Sequence, residues 1–215
     1  MLVRCDPVPA HVHALSLGLL GRHLAAAIDL NGQVTHARWN LQGPAAGTFG
    51  DPLEGVAAAL HYCCDLIVAH AGALGGAVNG TVQAAAAGSF LAPYPLNGAD
   101  ARAHAGAVLA ALETLAGSLR QAATLARDAG DGDTAALLVD VARCIERQVW
   151  LLGSVTATAA NTRAATRTMP HLVAEGIAAD HPAHRWTDRR PAAPGASPTA
   201  AGGHGHATAG AERTP

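Results

Sequence analysis

Three polar side chains at fixed spacing carry the clearest chemistry in this chain. Glu54, His61 and Asp65 stand at i, i+7 and i+11, which on a helix sets them along one stripe. That stripe is the polar seam of the protein. His36, Arg38 and Asp51 lie just upstream. A helix turns positions 36 and 38 to different sides. A guanidinium, always protonated and without a free lone pair, can pair with a carboxylate but cannot ligate a cation. Near the other end, Gly202-Gly203-His204-Gly205-His206 offers two imidazoles, although exposed histidines in such a segment more often bind nothing.

The four cysteines, Cys5, Cys63, Cys64 and Cys144, show no CxxC spacing. Cys63 and Cys64 point roughly 100° apart on a helix and are poor partners for each other, so buried free thiols are expected.

Helices must position these groups. From Pro9, apolar residues recur at Leu15, Leu19, Leu20, Leu24, Ile28 and Val34, close to the one-face pattern of a helix that runs from about Pro9 to Asn40. Gly43-Pro44 ends it, and Gly43 to Gly50 reads as a loop. Asp51-Pro52 supplies the next start signal, with Glu54 near the positive end of the helix dipole. That second helix continues through Leu53, Val56, Leu60, Cys64 and Ile67 to Gly75-Gly76.

The connection from Ala77 to about Gly98 is too long for a hairpin. It holds a short helix near Thr81 to Ala87 and then Pro93-Tyr94-Pro95, which cannot continue one. A long link after the second helix implies a crossover. A third helix follows from about Ala99 to Ala129, with Val108, Leu112, Leu115, Leu119 and Leu125 inward. Gly130-Asp131-Gly132-Asp133 turns the chain, and Asp133-Thr134 is the expected cap of a fourth helix bearing Leu137, Leu138, Val141, Ile145, Val149 and Leu152. Trp150 is expected in core or interface packing.

The expected division is an N-terminal tail over 1–8, a four-helix bundle over 9–159, and a flexible Pro/Ala/Gly/His-rich tail over 160–215. The last segment holds six arginines, four acids and five histidines.

Composition supports an all-α protein. Half of the 215 residues are hydrophobic and only 3% aromatic; the surplus is alanine, the best helix former. The formal net charge is −2, and all 14 basic residues are arginine. That balance excludes a broadly basic nucleic-acid binder and confines any DNA contact to a patch or tail. No secretory signal is recognised at the N-terminus. Residues 66–99 lack charge but are broken by glycine and by His70, Asn79 and Gln83, so no membrane span is expected and a cytoplasmic location is.

Several separated pieces, in order and at consistent spacing, carry a resemblance: Leu24-Ala25-Ala26-Ala27-Ile28-Asp29-Leu30, Trp39-Asn40-Leu41-Gln42-Gly43-Pro44, Leu74-Gly75-Gly76 with Gly80-Thr81, Tyr94-Pro95, Gly130-Asp131-Gly132-Asp133-Thr134-Ala135 and Trp150-Leu151-Leu152. Over about residues 12–157 the chain resembles the Dps branch of the ferritin-like proteins, bacterial cages that protect DNA and handle iron. The resemblance implies a ferritin-like four-helix bundle, a long crossover containing a short helix, and a homo-oligomer built from two-fold dimers, a dodecamer.

In that family, iron is oxidised at sites shared across the two-fold. One subunit gives two histidines and a carboxylate; the other gives an Asp and a Glu four residues apart. Laid onto this sequence, the two histidine positions hold Arg38 and Gly50, the carboxylate is Glu54, the Asp is Asp65 and the Glu position holds Ala69. The resemblance therefore implies a ferroxidase site that is impaired or lost, with iron bound weakly, and Arg38 standing where a metal would, able to pair with both Glu54 and Asp65.

A rearranged metal site drawing on His61, His36 and Asp51 is the alternative. Arg163, Arg167, Arg185, Arg189 and Arg190 are candidate DNA contacts whose repetition around a shell would add avidity. Co-assembly with an intact relative is a further expectation.

Overall fold

The computed structural model describes residues 9–95 and 100–168, and within them the elements are α1 (Ala10–Trp39), α2 (Pro44–Ala73), α3 (Val82–Gly88), α4 (Ala101–Asp128) and α5 (Gly132–Thr168). The four long helices form the bundle. α1 packs on α2 and α4, and α5 packs on α4 and α2. The short α3 rides on α1 within the crossover. Its start is fixed by Thr81, whose hydroxyl accepts from the Ala84 N–H, an ordinary N-cap.

The core follows from the two apolar residue types the chain uses. Leu20, Leu24, Leu53, Leu60, Leu112 and Ile145 are wholly or almost wholly buried. Ala25, Ala26, Ala27, Ala122, Ala123 and Ala126 are buried between them, and small side chains let helix axes approach closely. Asp29 ties the crossover to α1: Ser89 Oγ donates to its Oδ2 at 2.6 Å and Gln33 Nε2 to its Oδ1 at 3.3 Å.

Several boundaries and faces differ from the sequence expectation. The residues from Pro44 onward are helical, and Pro52 lies inside α2. Pro44 at the first position suits a helix start, and Phe49, only 4% exposed, anchors these early turns in the core. Asp131, not Asp133, caps α5: its Oδ1 accepts from the Thr134 N–H at 2.9 Å. The residues 160–168, expected in a flexible tail, continue α5, as an Ala-, Thr- and Arg-containing run can once a long helix is propagating. Leu125 is 53% exposed, because Ala122, Ala123 and Ala126 take the inward positions of those turns. Leu15 and Trp150 also lie on the surface, so Trp150 is not core.

The expected tail segments 1–8 and 169–215 lie outside the described residues, with Cys5, Arg185, Arg189, Arg190 and the Gly-His-Gly-His run. Over Ala46–Ala73, α2 is long and apolar enough to cross a membrane by length and composition. Its stripe Leu53, Val56, Leu60, Cys63 and Ile67 is part of the bundle core.

Candidate metal centre

The link between α1 and α2 brings the end of one helix beside the start of the next. Gly43 makes that possible: its φ of 60° and ψ of −146° form a backbone conformation that only glycine adopts without strain. The result is a cleft of about 370 Å³ lined by Arg38, Trp39, Leu41, Gly50, Asp51 and Glu54.

Arg38 and Glu54 form an ion pair across this cleft. Their side chains are 39% and 60% exposed, so in the single chain the pair is solvated and worth little to stability. Asp51 is in the same cleft, one helical turn before Glu54. An ideal Cβ built at Gly50 meets nothing within 4 Å. The glycine therefore leaves open room at this point of the cleft.

Glu54, His61 and Asp65 all lie on the exposed side of α2, as the helical spacing requires. Eleven residues separate Glu54 from Asp65, or about 16 Å along the axis. Arg38 therefore reaches Glu54 in its own chain and does not meet Asp65 there. Asp65 instead acts on its neighbour: burial and then the Asp65 charge push the Cys64 thiol up to about 11. Ala69 is exposed one turn further on.

His61 does not join the cleft; Asn31 Nδ2 donates to its Nε2 at 3.1 Å. His36 turns away from Arg38, as helical geometry dictates, and sits edge-on to the Tyr94 ring at 5.0 Å. Of the three residues that a rearranged site would draw on, only Asp51 accompanies Glu54. Among the described residues no three His, Cys, Asp or Glu side chains converge as metal ligands do. Arg163 and Arg167 fall on the last turns of α5.

Sequence reasoning missed the pairing of Tyr94 with His104, whose Nδ1 lies 2.6 Å from the phenol oxygen. The two are ten residues apart across a proline-containing crossover, and no periodicity signals such a contact.

The profile of the ferritin-like domain matches residues 17–161 of this chain. The chain belongs to the ferritin-like family. It is 28% identical over 147 residues to the DNA protection during starvation protein of Agrobacterium fabrum, covering 68% of this chain and 91% of that one. Among solved structures, it matches DpsC from Streptomyces coelicolor with a TM-score of 0.64 at 21% identity, covering 72% of this chain and 88% of that one. Antigen TpF1 from Treponema pallidum matches with a TM-score of 0.64 at 21% identity, covering 71% and 99%. At these identities the structural matches speak to the fold.

Proposed function

We propose that this chain is of the Dps branch and builds a homo-oligomeric shell, dodecameric by family likeness, that sequesters iron and protects DNA in the bacterial cytoplasm, and that its own ferroxidase site is degraded. The observation that carries the reading is the Arg38–Glu54 ion pair. It lies in the cleft lined by the positions where, by the family resemblance, first-subunit ligands would stand, and there a guanidinium offers charge but no lone pair. Glu54 and Asp65 lie too far apart along α2 to meet within one chain. A two-fold contact would bring Asp65 of a second copy to Arg38 and Glu54. The fixed cation then neutralises carboxylates that would otherwise be buried together without compensation.

Iron is the cargo, and its oxidation falls to an intact co-assembled relative or to bulk oxygen. Asp51 favours a second reading, since it lines the same cleft as Glu54 and could give a carboxylate-only site. An arginine-bearing C-terminal segment binding DNA would extend either reading.

The test is aerobic oxidation of ferrous iron by the purified assembly, followed optically against a protein-free control. The wild type is expected at the control rate, and Asp65→Ala is expected to match it. Replacing Arg38 and Gly50 with histidine and Ala69 with glutamate restores the nitrogen and oxygen donors and is expected to raise the rate several-fold above control, a gain that Asp65→Ala then removes. Wild-type oxidation well above control that collapses on Asp65→Ala or Asp51→Ala would establish the carboxylate-only site instead.

A further inference from the structure

At the top of the crossover, Tyr94 meets α4. Its hydroxyl oxygen lies 2.6 Å from His104 Nδ1, a bond in which the phenol can donate, the two rings lie 14° from parallel, and His36 closes over the phenol ring edge-on. His104 is 6% exposed. With Nδ1 accepting, the imidazole carries its own proton on Nε2. Burial raises the Tyr94 phenol above its ordinary value, so the resting group is a neutral phenol that keeps its proton.

A phenol that loses an electron becomes a strong acid, and its oxidation is easy only where a base can take the proton in the same event. Water serves that purpose for an exposed tyrosine such as Tyr62, which is 58% exposed on α2. At Tyr94 the base is already in place, 2.6 Å from the phenol oxygen and buried.

We infer that Tyr94 and His104 form a proton-coupled one-electron donor, a site where a strong one-electron oxidant such as hydroxyl radical is quenched as a tyrosyl radical. One electron passes from the phenol to the oxidant, reducing hydroxyl radical to hydroxide. The O–H bond breaks, its proton binds Nδ1, and the products are a neutral phenoxyl radical and an imidazolium. One electron from a thiol or ascorbate, with the proton returned from Nδ1, restores the pair.

His104 stands in the first turn of α4, where the helix dipole disfavours a cation. The Asp100 carboxylate at that helix end, which accepts from the Ala103 N–H at 2.8 Å, offsets the transient charge.

The inference does not depend on iron handling, and its test uses an iron-free oxidant. The full chain, stripped of iron, is photo-oxidised with ruthenium tris(bipyridine) and persulfate, frozen, and read by electron paramagnetic resonance. A tyrosyl signal is expected in the wild type. It should survive Tyr62→Phe and be lost in Tyr94→Phe, which removes only the hydroxyl. In D2O the wild-type radical should show electron–nuclear coupling to one exchangeable deuteron, absent in His104→Gln. A tryptophanyl signal alone, a tyrosyl signal undiminished in Tyr94→Phe, or a wild-type radical without exchangeable coupling overturns the inference. The coupling is measured on the unaltered protein, so it decides the matter even if a variant folds poorly.

Discussion

Asp131 shows how one side chain can serve several demands in this bundle. α4 ends in a Schellman turn: Gly130 adopts φ 92°, and the Asp131 N–H reaches back to the Ala126 carbonyl at 2.9 Å, as the motif requires. The same Asp131 then caps α5 through the Thr134 N–H and accepts from Ser16 Oγ of α1 at 2.5 Å. Thr134 Oγ1 in turn contacts His70 Nε2 of α2 at 2.9 Å. All four long helices therefore meet around one carboxylate. Burial alone would raise its pKa, but the bonds from Ser16 and Thr134 and the nearby His70 outweigh burial and hold it below the ordinary value of 3.8. A carboxyl depressed in the folded state stabilises the fold at pH values above its unfolded pKa, and that contribution is lost as pH falls through the folded one. Asp131→Ala removes the cap and strands buried donors, a loss of roughly 2–3 kcal/mol, or about 5–10 °C in melting temperature for a domain of this size. The gap between wild type and variant should be widest near neutral pH and close below the ordinary carboxylate range. A gap that stays constant from pH 7 to strong acid would contradict this account. Burial likewise pushes the pKa of His23 down from 6.5, against its bonds to Leu19 and Ser118. That histidine is buried neutral, so acidification below 6.5 erodes stability in the wild type and the variant alike.

The link between α1 and α2 depends on Gly43. At its φ of 60° and ψ of −146°, a Cβ is strained even though nothing lies within 4 Å of it, so the cost is in the backbone rather than in packing. Gly43→Ala is expected to destabilise by about 1–3 kcal/mol, read as a lower midpoint in urea with the slope unchanged. An unaltered midpoint would mean that the link relaxes into another turn. Much at this scale was legible in the sequence, because helix spacing and glycine punctuation are local. Gly75 stops α2 with φ 80° where the Gly75-Gly76 pair indicated, and Thr81 caps the crossover helix. The errors arose where tertiary burial outranked a local signal. Asp51-Pro52 is a good start signal, but the burial of Phe49 extends α2 back to Pro44. Leu125 fits the apolar spacing, yet the alanines beside it fill the core. In the site, the Arg38–Glu54 contact could be anticipated from residue types and family positions. The Tyr94–His104 bond could not, because it depends on how a proline-bound crossover lands on α4.

For the whole molecule, the single chain leaves exposed what an assembly would cover. Trp39 is 79% exposed beside the cleft, Val82 is 74% exposed on α3, and Trp150 is 70% exposed on α5, which suits contacts between copies more than a solvated surface. If Arg38 sits at a two-fold contact, the solvated ion pair of the free chain becomes a buried one, and its energetics change accordingly. Removing one member of a buried pair leaves an uncompensated charge, whereas removing both does not. Arg38→Ala is therefore expected to shift the assembly toward smaller species, read by sedimentation velocity at micromolar concentration. Arg38→Ala combined with Glu54→Ala should recover much of the lost assembly, since the carboxylate left unpaired is gone. Full recovery would require that Asp65 of the second copy be compensated as well, so adding Asp65→Ala should complete it. An Arg38→Ala protein that assembles as the wild type does would place the pair away from any subunit contact. The arginine would then be a surface residue that merely excludes metal from the cleft of its own chain.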